Sequence, residues 1–432
     1  MTGCEKIEAA VSGLFDDYEL YYHKEKGKKI ESREKELYGI EVKEEEGVAI
    51  RGIKDDRMAF AYTYDRGEEA AGSLVRSLAQ LIPFAVHDED RDFPVGYEKY
   101  PAADLCDDKG ADDTEKKEAL FNMEKAIIDY DRRIVATRNC ELHEIEIETR
   151  IMNSKGLNAE GKKTLYILTG LCVAKGEDEV SWYDWSWSNH WSRLDGEVLG
   201  RGIAQKALSF LSGRQLETGT YEGMLTPQAS CDLLGILASS FLGENLYKNK
   251  TRLKGRVGEQ CFADVVNVVD SGLAGTGGFY FDGEGVPARD NVVVKNGHFR
   301  GFLYDSYYGR KFGVPSTGNG TRTGIKEPPK CGPRGMFIEK GAADIRSSFT
   351  SGVVIEELMG THTANPVTGD FSLGAIGHIY KGGAPSPFKG VIFSGNIFQL
   401  LNNVKAVGTD LMFYGTFGSP SLYVEDIKIS GV

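Results

Sequence analysis

The sequence predicts an α+β protein in which a two-lobed α+β N-terminal region with antiparallel sheets precedes a β-rich, barrel-like C-terminal domain. The chain has 432 residues, which is too many for one small core. Helical and strand patterns alternate up to residue 213, whereas short strand patterns between glycine turns predominate after residue 257. A polar segment at 87–113 interrupts the first part. We therefore expect domains at 1–90, 112–213 and 214–432.

The first lobe is predicted to begin with a helix and to continue as strands. Apolar residues recur at helical spacing within 5–18, and a strand pattern begins at 19–22. Further strand patterns lie at 40–48, 48–53 and 58–64, and a helical pattern follows at 68–84. This order indicates an antiparallel sheet with helices packed against it.

The second lobe follows the polar segment, in which Pro94, Pro101 and several aspartates are typical of a linker or surface loop. Asp113 and Thr114 are candidates to cap a helix that runs to about residue 131. Strand patterns are predicted at 134–137, 141–150, 151–153, 165–175 and 179–189, and a helix at 199–211. We expect a second α+β unit here.

The C-terminal domain is predicted to open with a strand at 219–225 and a helix that Ser230 caps and that extends to Tyr247. Its most distinctive stretch is 277–323. Asn296 and Gly297 lie there between two strand patterns and predict a type I′ hairpin, because both central residues of that turn need a positive φ. Glycines near Ser316 allow a backbone or a substrate to approach closely.

Composition excludes several classes of protein. The 51 basic residues are outnumbered by 64 acidic residues, which disfavours a phosphate-binding surface for nucleic acid. No apolar run reaches the roughly 20 residues that a membrane span needs, and no basic and apolar leader opens the chain. The seven cysteines are odd in number and contain no C-x-x-C. We therefore expect a cytoplasmic protein with reduced thiols that binds neither nucleic acid nor a membrane.

The order of the C-terminal motifs resembles one known family. The motifs are Phe281-Asp282-x-Glu284-Gly285-Val286, the Asn296-Gly297 hairpin, Arg310-Lys311-x-Gly313, Ser316-Thr317-Gly318-Asn319, Glu356-Glu357-Leu358-Met359-Gly360 and Val367-Thr368-Gly369-Asp370. Their order is similar to that in the TldD and TldE (PmbA) family, which is also labelled modulator of DNA gyrase. The resemblance implies zinc metallopeptidases of peptide processing, built from an active TldD subunit and a related TldE subunit.

The zinc motif of the active subunit is missing from this sequence. In TldD-like members, a helix near the start of the last domain carries His-Glu-x-x-x-His, and a cysteine near the C-terminus is the third ligand. The matching positions hold Cys231, Asp232 and Ile236, with Phe417 near the cysteine position. His143-Glu144 does not replace the motif, because the alternation around it predicts a strand. The resemblance thus implies no zinc in this chain and zinc in a TldD-like partner.

A few residues are weak candidates for catalysis. Cys231 beside Asp232 could be a nucleophile, although a free cysteine on an apolar helix is commonly part of the core. His362 and Asp370 could form a pair for proton transfer, or Asp370 could close a turn. The candidate residues of a substrate cleft are Asp282, Glu284, Arg310, Ser316, Thr317, Asn319, Thr368 and Asp370, although turn geometry could equally explain them. The tryptophans at 182, 185, 187 and 191 indicate either a peptide or partner surface or core.

The function that we expect is that of a TldE/PmbA-like, non-catalytic subunit that shapes a substrate cleft for peptides and forms a heterodimer with a TldD-like subunit. A homodimer is plausible without the partner. One alternative is a stand-alone hydrolase that uses Cys231 or the pair His362 and Asp370. Another is a regulatory protein that binds a topoisomerase.

Overall fold

A computed structural model describes residues 7–8, 10–11, 13–65, 67 and 69–432. The helix predicted within 5–18 lies partly outside these residues. No helix in the described part of the chain is long and apolar enough to cross a bilayer.

The N-terminal region contains one antiparallel sheet of six strands. They are β1 (Asp17–Arg33), β2 (Glu36–Lys54), β3 (Arg57–Thr63), β4 (Ile134–Asn153), β5 (Asn158–Lys175) and β6 (Glu179–Ser188), in the spatial order β3-β2-β1-β4-β5-β6. β1 pairs with β4 from Glu19 opposite Asn153 to Ser32 opposite Cys140. The strands of the two predicted lobes therefore form a single sheet, not two.

The helices that pack against this sheet lie before β4 and after β6 in the sequence. They are α1 (Ala70–Leu81), α2 (Asp113–Ile128) and α3 (Gly196–Ser209), with 3₁₀ turns at Ile82–Phe84 and Trp191–Arg193. The N-cap of α2 is Asp112, whose carboxylate accepts from the amides of Thr114 and Glu115. The predicted caps, Asp113 and Thr114, are instead the first two residues of the helix. Leu120 and Met123 of α2 share a buried core with Ile203 of α3.

The segment 88–112, predicted as a linker or surface loop, is exposed at 95–99 but packs against the rest of the protein at several other points. Phe93 and Leu105 are buried. The side-chain amide of Asn153 donates to the carbonyl of Pro94 (2.7 Å), and the Tyr100 hydroxyl donates to the carbonyl of Gly285 (3.1 Å). The segment therefore binds both the sheet and the C-terminal domain, which composition alone could not indicate.

The C-terminal domain is built around a closed barrel. Its strands are β7 (Gly219–Leu225), β14 (Gly352–Met359), β15 (Asp370–Lys381), β16 (Ala384–Asn396) and β20 (Leu422–Ser430). They pair in the order β16-β15-β14-β7-β20, and the pairing of β16 with β20 closes the ring. β17 (Val404–Val407) extends the sheet beside β20. The predicted α+β fold with a barrel-like C-terminal domain is confirmed.

A second sheet and several short helices surround the barrel. The sheet contains β8 (Val268–Ser271), β9 (Asp290–Lys295), β10 (His298–Phe299), β13 (Met336–Ile338), β18 (Met412–Tyr414) and β19 (Phe417–Ser419); β11 (Gly320–Thr321) pairs with β12 (Lys330–Cys331). The helices are α4 (Pro227–Ala238), α5 (Gly243–Tyr247), α6 (Ser306–Lys311), α7 (Ile345–Ser348) and α8 (Ile397–Asn402), with 3₁₀ turns at Ser239–Phe241 and Thr361–Thr363.

Two local predictions in this domain have different outcomes. The Asn296-Gly297 hairpin is confirmed: both residues have positive φ, 49° and 73°, and join β9 to β10. The predicted cap of α4 at Ser230 is wrong, because the hydroxyl of Thr226 accepts from the amide of Ala229 and Pro227 opens the helix. α4 also ends at Ala238, well before Tyr247.

Candidate functional site

The candidate site is a cavity of about 470 Å³ beside α4. α4 buries Leu233, Leu234 and Leu237 in the core of the domain. Helical spacing then directs Asp232 and Ile236, on the other face, toward the cavity. Cys231, His362 from the turn at Thr361–Thr363 and Phe417 from β19 complete its wall, among other residues. The structure thus brings together three positions that are far apart in the sequence.

Cys231 is held as a neutral thiol. Its one S–H proton has two carbonyl acceptors within reach, those of Phe417 (3.5 Å) and Met412 (3.8 Å). Burial, together with the nearby negative charge of Asp232, raises the pKa of this thiol to about 12. Because the thiolate is the nucleophilic form, this environment opposes nucleophilic catalysis at neutral pH.

Asp232 lies at the position of the glutamate in the family motif, and its environment favours the protonated form. Burial and the neighbouring charge of Glu357 raise its pKa to about 6. Burial and the charge of Asp184 in turn raise the pKa of Glu357. A carboxyl group that titrates near neutral pH can exchange a proton with a group in the cavity.

The residues of this cavity do not fit a zinc ion. A zinc site needs at least three well-placed N, S or O ligands, yet Ile236 and Phe417 offer none, and the Cys231 thiol is bound to carbonyl groups. No cluster of three His, Cys, Asp or Glu side chains suited to a metal occurs in the part of the chain that the structure describes.

The structure does not bring His362 and Asp370 together as a hydrogen-bonded pair, as far as its described residues show. His362 lines the cavity, whereas the Asp370 carboxylate accepts from the side-chain amide of Asn396 (2.8 Å). This hydrogen bond, with a smaller contribution from Thr368, lowers the pKa of Asp370. The Thr368 carbonyl accepts from Asn396 (2.8 Å) and Arg252 (3.0 Å). These hydrogen bonds fix the conformation of the loop, which agrees with a turn-closing role for Asp370.

Two of the acidic residues predicted for a substrate cleft, Asp282 and Glu284, are buried inside the protein. The Asp282 carboxylate accepts from the amides of Glu284 (2.8 Å), Val286 (3.0 Å) and Gly320 (2.8 Å). The Glu284 carboxylate accepts from the amide of Ser306 (2.7 Å). These carboxylates therefore hold loops together and leave few atoms for a substrate.

The remaining cleft candidates also bond within the chain. The side-chain amide of Asn319, fully buried, donates to Asp270 (2.7 Å) and to the carbonyl of Gly332 (2.9 Å). Arg310 lies 3.5 Å from the Asp92 carboxylate. The hydroxyls of Ser316 and Thr317 both donate to the carbonyl of Tyr304 (3.1 and 3.0 Å).

Comparison with known proteins identifies the family. Three models match the chain: PmbA/TldA metallopeptidase domain 1 at residues 18–82, the central domain at residues 107–211 and the C-terminal domain at residues 218–431. The chain belongs to the PmbA/TldD metallopeptidase family. The metalloprotease PmbA of Escherichia coli O157:H7 is 25% identical over 433 residues, which cover 97% of this chain and 93% of that protein.

Solved structures of this family share the fold. TldE from Thermococcus kodakarensis has a TM-score of 0.89 at 23% identity and covers 100% of both chains. A Thermotoga maritima protein named as a modulator of a DNA gyrase has a TM-score of 0.89 at 23% identity and covers 99% of both chains. The predicted membership of the PmbA/TldD family is thus confirmed.

In this family member, the tryptophan cluster is divided between the two faces of β6. Trp182 stacks on Phe210 at 5.1 Å in the core under α3. Trp185 packs edge-on against Tyr414 at 6.4 Å, and the Trp187 indole donates to the carbonyl of Phe413 (3.2 Å). The strand period of two separates these roles, and the second face joins the N-terminal sheet to β18.

Sequence reasoning missed a buried network of charged residues between the N-terminal sheet and the C-terminal loops. Arg51 donates to the Glu19 carboxylate (2.9 Å), and Arg322 pairs with the same carboxylate. Lys163 and Arg334 lie nearby and are also buried. The alternation of Glu19, Tyr21 and His23 along β1 was the available signal, because it places these residues on one face.

Proposed function

We propose that this chain is a TldE/PmbA-like, non-catalytic subunit of a TldD/TldE-type metallopeptidase in peptide processing. The observation that carries the proposal is the cavity beside α4. The fold keeps a cavity where the family motif is located, but Cys231, Ile236 and Phe417 stand at the ligand positions. Zinc and its activated water would therefore come from a TldD-like partner in a heterodimer.

The contribution of this chain would be to shape the substrate cleft. Peptides are the substrates that the family implies. His362 and Asp370 are exposed and Thr368 lies beside them, so these residues remain our candidates for contact with a peptide or with the partner. The chain would act in the cytoplasm, and the free cysteines at 106, 140, 172, 231, 261 and 331 fit a reducing compartment. The net charge of −13 supports an assembly without nucleic acid.

The alternative of a stand-alone cysteine hydrolase has less support. The Cys231 thiol, with a pKa of about 12, would need a base strong enough to remove its proton. The alternative of a topoisomerase regulator rests on a family label and on no feature of the described residues that we can assign to such a partner. A homodimer in the absence of the partner remains part of the proposal.

The test is reconstitution with a relative that carries His-Glu-x-x-x-His. We expect neither peptide hydrolysis by this chain alone nor zinc-independent turnover by the mixture, whereas the two chains together form a stable heteromer that cleaves peptides. Changing a histidine of the partner's motif to alanine should abolish turnover. Cys231→Ala in this chain should leave turnover within about twofold, because its thiol is neutral.

Two other results would contradict this proposal. If this chain cleaves peptides by itself and Cys231→Ala abolishes that activity, the non-catalytic assignment is wrong and the cysteine hydrolase takes its place. Retention of this chain on a topoisomerase, without retention on the zinc-bearing relative, would favour the regulatory alternative.

A further inference from the structure

A second cavity, of about 310 Å³, lies between the N-terminal sheet and the glycine-rich loops of the C-terminal domain. We call it the junction cavity; Lys163, Arg322, Arg334, His23, Tyr21 and Phe279 line its wall, among other residues. Lys163 belongs to β5, whereas Arg322 and Arg334 come from loops of the C-terminal domain. Three cationic side chains from distant parts of the chain therefore line one cavity.

Lys163 is a buried cation without an acidic partner. The residue is 4% exposed, and its ammonium donates to the carbonyls of Thr276 (2.5 Å) and Gly278 (2.8 Å). Among the described residues, no carboxylate lies within ion-pair distance of it. Burial and the charge of Arg334 lower its pKa to about 8. A buried charge without a counter-charge is unfavourable, and one of its three donors remains free for a ligand.

Arg322 offers a second unused donor. Its side chain is 2% exposed and pairs with Glu19 through Nη2, while Nε donates to the carbonyl of Gly283 (2.6 Å). Its Nη1 is buried and has no hydrogen-bond partner among the described atoms. Leaving such a buried donor unsatisfied is unfavourable. Water or a ligand in the cavity would remove this cost.

The other charges around the cavity already have partners. The Asp282 carboxylate is bound by three backbone amides, and Asp270 is bound by Asn319 and by the amide of Arg334. Arg334 donates from Nη2 to the carbonyls of Gly272 (2.9 Å) and Phe279 (3.0 Å), and its charge is near Asp282 and Asp270. Among the described residues, Lys163 thus has neither an ion pair nor a nearby carboxylate, whereas Arg334 lies near two.

We propose that the junction cavity binds a carboxylate monoanion, which lies between the ammonium of Lys163 and the free Nη1 of Arg322. A carboxylate can accept charge-assisted hydrogen bonds from both donors, whereas Asp282 in the same wall would repel a phosphate dianion more strongly. The volume suits a small group, and the rings of Tyr21 and Phe279 provide an apolar wall for the carbon skeleton. The ligand is the carboxyl end of a peptide or a free organic acid. This site does not depend on the function proposed above.

Titration of the full-length protein, followed by NMR and calorimetry, tests the site. The probes are acetate, an N-acetylated tripeptide with a free carboxyl group, the same tripeptide as its C-terminal amide, and inorganic phosphate. We expect at least tenfold tighter binding of the free-acid tripeptide than of the amide. Tighter binding of the tripeptide than of acetate identifies a peptide end as the ligand, and equal binding identifies a small organic acid.

Lys163→Met should weaken carboxylate binding at least tenfold. The matched control is Lys162→Met, because Lys162 is adjacent but points to the opposite face of β5, where its side chain is 68% exposed and pairs with Glu148. Ile147→Trp is a second variant, which fills the cavity from its wall and keeps both cations. It should abolish binding and decides the question if Lys163→Met does not fold.

Three results would each overturn the proposal. The first is the absence of any binding at millimolar carboxylate, which would leave only water in the cavity. The second is equal binding of the acid and amide tripeptides, or undiminished binding by both Lys163→Met and Ile147→Trp. The third is tighter binding of phosphate than of either carboxylate.

Discussion

At the scale of the residue, burial gives Cys231 and Asp232 a chemistry that their side chains do not have in water. Burial raises the pKa of both groups, because desolvation penalises the charged form of each. The thiol, with a pKa of about 12, is protonated at pH 7, whereas Asp232, with a pKa of about 6, can titrate near neutral pH. The carboxyl group is thus the more reactive proton carrier of this cavity.

We predict that the isolated protein binds no stoichiometric zinc. The family's three ligand positions hold Cys231, Ile236 and Phe417, and only the first has a donor atom, which is protonated and bound to carbonyls. Elemental analysis of chelator-free protein measures this. About one zinc per chain, lost in Cys231→Ala or His362→Ala, would mean that the cavity forms a rearranged metal site.

At the scale of the element, the segment 88–112 lies across the sheet and packs against it at Phe93. Phe93 is 1% exposed, and the guanidinium of Arg51 lies 5.0 Å from its ring centroid. The neighbouring ion pairs of Lys311 with Asp88 (2.8 Å) and Asp90 (2.6 Å) fasten the beginning of the segment to α6. Its many aspartates are therefore compatible with an ordered conformation.

We predict that an Asp- or Glu-specific protease does not cut the native protein first within 88–112. Phe93→Ala should create a cavity that costs about 3–5 kcal/mol and should make the segment a preferred site of cleavage. Phe84→Ala is the control, because Phe84 is 87% exposed and its loss should change little. Limited proteolysis with mass spectrometry decides this. Early cleavage of the wild-type segment would restore the interpretation as a flexible linker.

At the scale of the whole molecule, one ion network joins the helical layer of the N-terminal region to the barrel. Lys206 and His378 both contact the Glu356 carboxylate, with His378 Nδ1 at 3.4 Å. His378 Nε2 is also hydrogen-bonded to the carbonyl of Ser209 (3.2 Å). α3, β14 and β15 are thus held by a single carboxylate. Although burial opposes ionisation, His378 and Lys206 lower the pKa of Glu356 to about 2.

This network should make stability depend on pH. The pKa of Glu356 is lower in the folded protein than its ordinary value of 4.5. Its contribution is therefore present above pH 4.5 and is lost as the pH falls toward 2, and it amounts to roughly 3 kcal/mol. We predict that Glu356→Gln lowers Tm at pH 7 and flattens the dependence of Tm on pH between about 5 and 3.

Glu357→Gln is the matched control for this experiment. Burial and Asp184 raise the pKa of Glu357, so folding does not stabilise its ionised form and its replacement by a neutral side chain should not lower Tm. Thermal denaturation across this pH range measures both variants. Equal losses in the two variants would mean that the contact between α3 and the barrel does not depend on the Glu356 charge.

The sequence by itself determined those features that depend on residue type and short-range geometry. The order of motifs identified the family, and the resemblance placed Cys231, Ile236 and Phe417 where TldD-like members have their zinc ligands. The hairpin at Asn296 and Gly297 could be predicted because positive φ is a demand of the two residues themselves. The pattern of short strands between glycine turns predicted the barrel-like domain.

Only the tertiary structure decided which strands pair, which polar side chains are buried and which residues share a cavity. The pairing of β1 with β4 merged two predicted lobes into one sheet. The same long-range packing buried Asp282 and Asn319 in loops where the sequence indicated a substrate cleft, and it brought Lys163 beside Arg322. Local propensity acts over a few residues, whereas burial depends on contacts between segments that are more than a hundred residues apart.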